Sequence, residues 1–286
     1  MRIWLRLVLA ILILFGSAAG AAYWIGTVSW KKETARMVEK LSEAAPRQEA
    51  KTVSFRTIAN LPAPVLRYFR MALTDGQGLV RTARIKHAGE FLTPGEKKWS
   101  PFTSTQFYSA NPVGFVWDAT IRMAPFMDVR VRDAYLEGKG AMEGMTFAVV
   151  PVLDQRDKAE LNEGALQRYL AEAVWFPTAL LPGSGVTWKA IDSNRALATL
   201  TDSGTTVSLE FRFNAQGEIA EIFTSGRYRE TEGKYVLTPW VVKVWNYEER
   251  SGMRIPLDGE AAWQLPEGRQ PYWKGKVVDV QYDFVK

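Results

Sequence analysis

The chain has 286 residues, 47% hydrophobic and 23% charged, with a formal net charge of +5. It contains no cysteine, which excludes disulfides, thiolate metal sites, a cysteine nucleophile and the lipidated cysteine that tethers a bacterial lipoprotein. The charge divides as +3 on residues 1–50 and +2 on the remainder, with acids and bases interleaved, so the basic patch or stripe that nucleic acid requires is absent from the pattern.

Arg2 and Arg6 precede an apolar run from Leu7 to Gly26. A bilayer core of roughly 30 Å needs ~20 helical residues to cross it, and the run is that long. Leu7 to Phe15 would equally serve as the apolar core of a signal peptide, with Ala19-Gly20-Ala21 as the cleavage site. Tyr23, Trp24 and Trp30 follow that site and suit an interfacial aromatic belt, which favours an uncleaved anchor over residues 7–26. The simpler orientation keeps the short basic N-terminus inside and exports the rest, although Lys31, Lys32, Arg36 and Lys40 follow the span.

Lys32 to Ala45 is rich in helix formers, with Ala35, Val38, Leu41 and Ala45 at helical spacing and Pro46 as a stop. It reads as a stalk beside the membrane, or simply as a solvated helix. A second short helix starts near Pro62 or Pro64 and carries Val65, Leu66, Phe69 and Leu73 on one face. From Leu79 the periodicity changes to alternation: Phe115, Trp117, Ala119, Ile121 and Met123 form one such series. Val207 to Phe213 and Val278 to Phe284 form two more. Turn signals separate the strands at Gly138 and Gly140, Asp202-Ser203-Gly204, Asn214 to Gly217, and Ser251-Gly252. Gly138-Lys139-Gly140 to Gly144 is a hairpin turn and not a phosphate loop, because Met145 to Leu153 reads as a strand where a phosphate loop would open a helix.

One helix interrupts the strands, with Asn162 as its cap, Leu166, Tyr169, Leu170, Ala173 and Val174 on one face, and Pro177 as its stop. The apolar stretch Phe176 to Leu181 is expected to lie across the sheet. The fold class that follows is mainly β (α+β): an N-terminal transmembrane helix, then a curved antiparallel sheet or incomplete β-barrel with a helix across its open side. The chain divides into an anchor or signal segment at 1–30, a helical stalk and linker at 31–60, and a single β-rich domain at 61–286.

The segments LPAPVLRYF from Leu61, Pro112 to Trp117, LQRYLAEAVWFPTALLP from Leu166 and PYWKGKV from Pro271 resemble a bacterial family classed only as a domain of unknown function. The likeness covers nearly the whole chain after the stalk and implies no catalytic residues. The strand-rich pattern with a plugging helix is also similar to the lipoprotein-carrier folds of the LolA and LolB kind. With the apolar run 7–26 and the basic N-terminus before it, the expected localisation is a bacterial cell membrane, single-pass, with the main domain on the outer, periplasmic or extracellular side.

Eight of the eleven tryptophans lie in the β-rich part, joined by Met123, Met127, Met142 and Met145, and such residues suit either a greasy ligand or a large ordinary core. The expected ligand lining is Phe115, Trp117, Met123, Met127, Trp175, Phe176, Leu180 and Trp263. The expected function is non-catalytic binding of a lipid or other hydrophobic molecule in the cleft of the sheet, with an envelope interaction module as the alternative. A hydrolase or isomerase would have to use His87, the only histidine, or Asp133, both of which point inward by alternation. Each has a plainer reading, His87 as a hydrogen-bonded buried group and Asp133 as the partner of an arginine. No metal or cofactor is expected, since one histidine and no cysteine leave only carboxylates, and these follow no ligand spacing.

Overall fold

The computed structural model describes residues 2–44, 52–93, 95–125 and 127–285. Its first element, α1 (Arg2–Ala44), is one unbroken helix of 43 residues. The apolar run and the amphipathic segment after it thus form a single rod of about 65 Å at 1.5 Å per residue, where the sequence suggested an anchor and a separate stalk. No helix breaker intervenes, and Gly26 is the last glycine before Ala44. The expected stop at Ala45 and Pro46 lies outside the described residues. Large apolar side chains from Ile3 to Phe15, together with Trp24 and Ile25, stand exposed, so the helix is long and apolar enough to be a membrane span or a signal sequence.

A short helix, α2 (Ala63–Ala72), starts with proline in its first turn, where the missing N–H costs nothing. It buries Val65, Tyr68, Phe69 and Ala72. Six strands follow as a meander: β1 (Val80–Phe91), β2 (Ser100–Ser109), β3 (Gly114–Ala124), β4 (Met127–Leu136), β5 (Lys139–Thr146) and β6 (Val150–Arg156). The helix α3 (Ala159–Glu172) and three 3₁₀ turns between Ala173 and Ser184 lead to a second meander. Its strands are β7 (Val186–Ala190), β8 (Arg195–Asp202), β9 (Thr205–Phe213), β10 (Ile219–Thr231), β11 (Lys234–Arg250), β12 (Met253–Leu265) and β13 (Gly268–Phe284). Antiparallel pairing of β1 with β13 joins the two meanders into a 13-stranded sheet with β6 and β7 at its edges.

Sheets twist by roughly 20–25° per strand pair, and a sheet this wide has to curl. Its far parts meet across the open side: the Tyr135 hydroxyl of β4 donates to Asp202 of β8 at 2.8 Å, and the Tyr235 hydroxyl of β11 donates to Gln155 of β6 at 2.9 Å. The result is a curled half-barrel with α3 near its open side. The concave face holds the main core, in which Phe115, Leu166, Leu170, Phe176, Leu180 and Phe211 are fully buried. A second, small core lies on the convex face, where Leu41 of α1 meets Val116 and Ala134.

Two local expectations are corrected. Met145 to Leu153 is not one strand: Phe147 and Ala148 adopt left-handed backbones, φ 51° and 57°, and turn the chain between β5 and β6. The segment contains no Gly or Asn at the turn, so its chemistry reads as strand. Asn162 does not cap α3, which begins earlier behind Lys158. Its side-chain oxygen instead accepts from the Gly140 backbone N–H at 2.7 Å and fastens the helix to β5.

Candidate functional site

Inside the curl, alternation along β2 sends Phe102, Ser104, Gln106 and Tyr108 to the concave face, and along β3 it sends Phe115, Trp117 and Ile121. A register shift between β12 and β13 adds one residue on β13. Such a bulge re-aims side chains, and here both Tyr272 and Trp273 turn inward: the Trp240 indole N–H donates to the Tyr272 hydroxyl at 2.9 Å, and Trp273 lies 6.2 Å from Trp175.

His87 sits in the resulting aromatic cage. Its ring centroid is 4.6 Å from that of Trp175 and 6.0 Å from that of Trp273, and Phe102 is 5.9 Å from Trp273 and 6.1 Å from Trp117. The histidine is 1% exposed, and among the described residues neither ring nitrogen finds a partner. The expected hydrogen bond to His87 is therefore missing. Ser104, opposite His87 in the β1–β2 register, is also buried with its hydroxyl unpartnered, and so is the Trp175 indole N–H. Burial, and secondarily the Arg168 charge, lowers the His87 pKa to about 3, so the ring is neutral at physiological pH.

Beside the cage lies a charged cluster centred on Arg168 of α3. Its guanidinium donates to Asp133 at 2.5 Å and to Glu172, one helical turn along, at 2.8 Å. It also lies 4.9 Å from the ring centroid of Trp117 and 5.1 Å from that of Phe115. Glu172 accepts further bonds from Gln106 at 2.7 Å and the Tyr108 hydroxyl at 3.1 Å. Burial works against the Arg168 charge, but Glu172 and then Asp133 outweigh it and raise its pKa. Asp133 is thus engaged by an arginine, as its plainer reading expects, and no hydrogen bond joins it to His87 among the described residues. A base held near pKa 3 is weak at neutral pH, whereas general bases work best near the operating pH. Among the described residues no three His, Asp or Glu side chains group as a metal site would need.

The eight residues expected as lining fall in four places. Phe115, Phe176 and Leu180 are fully buried in the packed core, where the Phe176 ring lies tilted against Tyr108 at 4.6 Å between centroids and the Leu180 carbonyl accepts from Trp188 at 2.9 Å. Trp117 and Trp175 are cage walls. Met123 and Trp263 are partly exposed at the rim, Trp263 stacked on Tyr272 at 5.7 Å, while Met127 lies at the β3–β4 corner. The lining expected from the sequence leaves out Ser104, Gln106, Arg168 and Glu172, and does not single out Trp273 from the other tryptophans of the β-rich part. For Arg168 and Glu172 a signal existed, since they stand four apart beside the apolar face of α3; β2 alternates small polar residues with aromatics and gives none. A cleft of about 1080 Å³ lies beside α1, walled by Trp30, Lys31, Val38, Lys86 and Arg130, and His87 and Ser104 also border it.

Fold and site together define a class: a curled antiparallel half-barrel with a long apolar N-terminal helix and an aromatic, polar-lined interior. The chain belongs to a family of unknown function, DUF6920, whose model matches residues 59–282. No curated protein matches. Among solved structures it is similar to a LolA superfamily protein from Nitrosomonas europaea, with a TM-score of 0.40 and 8% identity over 82% of this chain and 96% of that one. It is also similar to a DUF1329 family protein from Desulfovibrio piger, with a TM-score of 0.38 and 10% identity over 71% and 86%. A third is a β-barrel-like DUF1849 protein from Brucella abortus, with a TM-score of 0.28 and 11% identity over 72% and 99%.

Proposed function

We propose that this protein is a membrane-anchored, exported domain that binds an amphiphilic or lipid-like molecule inside the curl of its sheet, without catalysis. The observation that carries the reading is the cage. His87, Ser104 and Trp175 present buried polar atoms with no protein partner, walled by Phe102, Trp117 and Trp273. Native proteins leave few buried polar atoms unsatisfied, and each calls for an explanation. A molecule with an apolar body and one or two hydrogen-bonding groups supplies those partners while covering the aromatic walls. Met123, Trp263, Tyr272 and Trp273 are partly exposed and form its route in. The apolar residues 7–26 hold the domain at the membrane, and Arg2 and Arg6 keep the N-terminus on the cytoplasmic side.

The test is titration of the full chain, in mild detergent, with an anthroyloxy-labelled fatty acid followed by fluorescence. Saturable binding is expected, with Trp263→Arg and Met123→Arg weakening it at least tenfold while leaving the melting temperature near that of the parent. Non-saturable uptake, or equal binding by both rim variants, would exclude the interior as the site.

A further inference from the structure

The β5–β6 hairpin has a tip that a soluble protein would avoid. Its two turn residues, Phe147 and Ala148, hold left-handed backbones that favour Asn and Gly. Phe147, Val149, Val150 and Val152 are 47, 46, 51 and 57% exposed, which makes the tip a compact apolar surface. The tip also lies against α1 at the end of its apolar run. A Cβ added to Gly26 would stand 1.9 Å from the Ala148 carbonyl oxygen, so helix and turn are in backbone contact. Arg130, on the adjacent strand β4, lies 5.9 Å from the Tyr23 ring centroid and donates to the Thr27 hydroxyl at 3.2 Å. Trp24, one helical position from Tyr23, is 66% exposed.

We infer that the β5–β6 hairpin is a second membrane contact, with Phe147, Val149 and Val150 entering the interfacial layer of the leaflet from which α1 emerges. The position of Gly26 dictates the occupant. A bilayer that takes up residues 7–26 has its boundary at the turn that touches Gly26, and the interfacial layer is roughly 5–7 Å deep on each side. Aromatic and arginine side chains at Tyr23, Trp24 and Arg130 match the composition of that layer. The inference rests on the membrane-anchor reading above.

Because the chain has no cysteine, single labels can be placed without background. The experiment uses the full chain in vesicles of phosphatidylcholine and phosphatidylglycerol, with an environment-sensitive fluorophore on Val149→Cys, on Leu12→Cys within α1, or on Ala215→Cys in the distant β9–β10 turn. The label at 149 should emit to the blue of the label at 215 and be quenched by lipids carrying a nitroxide high on the acyl chain. Adding Val150→Asp should return it toward the aqueous spectrum. An aqueous label at 149 beside a lipid-quenched label at 12 would overturn the hairpin contact and leave the anchor standing. Aqueous labels at both 149 and 12 would overturn the anchor, and the hairpin contact with it.

Discussion

His87 shows how one side chain couples the interior to pH. Its folded pKa of about 3 lies below the ordinary histidine value of 6.5, so the unfolded chain binds more protons between those limits. The stability that comes from keeping the ring neutral is therefore complete above pH 6.5 and is lost as pH falls from there toward 3. The slope from this residue alone is roughly 1.4 kcal/mol per pH unit. His87→Leu should remove it: the stability difference between parent and variant, from urea unfolding at pH 7.5 and 4.5, should swing toward the variant by about 2 kcal/mol or more. Parallel pH profiles would show that the ring is reached by solvent. Gly275 is a second point of tight control, since a Cβ there would lie 2.3 Å from the Trp273 ring. Gly275→Ala should cost about 1–3 kcal/mol as an overpacking change, read from the urea midpoint, and should disturb the Trp175–Trp273 contact in near-ultraviolet dichroism.

Among the elements, α1 is the one whose role changed most between pattern and structure. Its second half does not stand free of the domain. Asp118 of β3 accepts from the Trp30 indole at 3.0 Å and from the Thr34 hydroxyl at 2.8 Å, and Arg132 of β4 donates to Thr34 at 2.9 Å and to the Trp30 carbonyl at 3.2 Å. Arg132 also pairs with Glu143, and its guanidinium lies 4.3 Å from the Trp30 ring centroid. Removing one partner leaves buried donors without acceptors, which costs about 1–3 kcal/mol. Asp118→Ala should accordingly loosen residues 30–44 while leaving the sheet intact, and amide exchange would report faster exchange in that helical stretch alone. Unchanged exchange would mean that Leu41 and its neighbours hold the helix by apolar packing. The apolar stretch before β7, by contrast, was legible in advance: Phe176 to Leu181 is buried, Pro177 opens the 3₁₀ turn within it and Pro182 opens the next one.

For the molecule as a whole, closure of the half-barrel creates the interior on which the proposed function depends. The cage draws on β1, β2, β3, β13 and the first 3₁₀ turn, and the charged cluster beside it on β2, β4 and α3. The proposed entry of a lipid-like molecule past Met123 and Trp263 and the proposed lipid contact of the β5–β6 hairpin involve separate residues. Either can fail without the other, and the labelled-fatty-acid titration and the vesicle labelling read them independently.

Local chemistry in the chain determined the apolar N-terminal helix, the strand alternation, the turns at Gly138, Ser203-Gly204 and Ser251-Gly252, the helix before Pro177 and the inward direction of His87 and Asp133. Each follows from side-chain period or from backbone preference over a few residues, which one sequence contains in full. Tertiary structure alone decided that β1 pairs with β13, that α1 docks on the convex face, that Arg168 is the partner of Asp133 and that His87 has none. Those outcomes depend on contacts between residues 35 to more than 190 positions apart, and on a register shift that turns both Tyr272 and Trp273 inward. Alternation states only that a side chain faces the core; the accumulated twist of the sheet decides what it meets there.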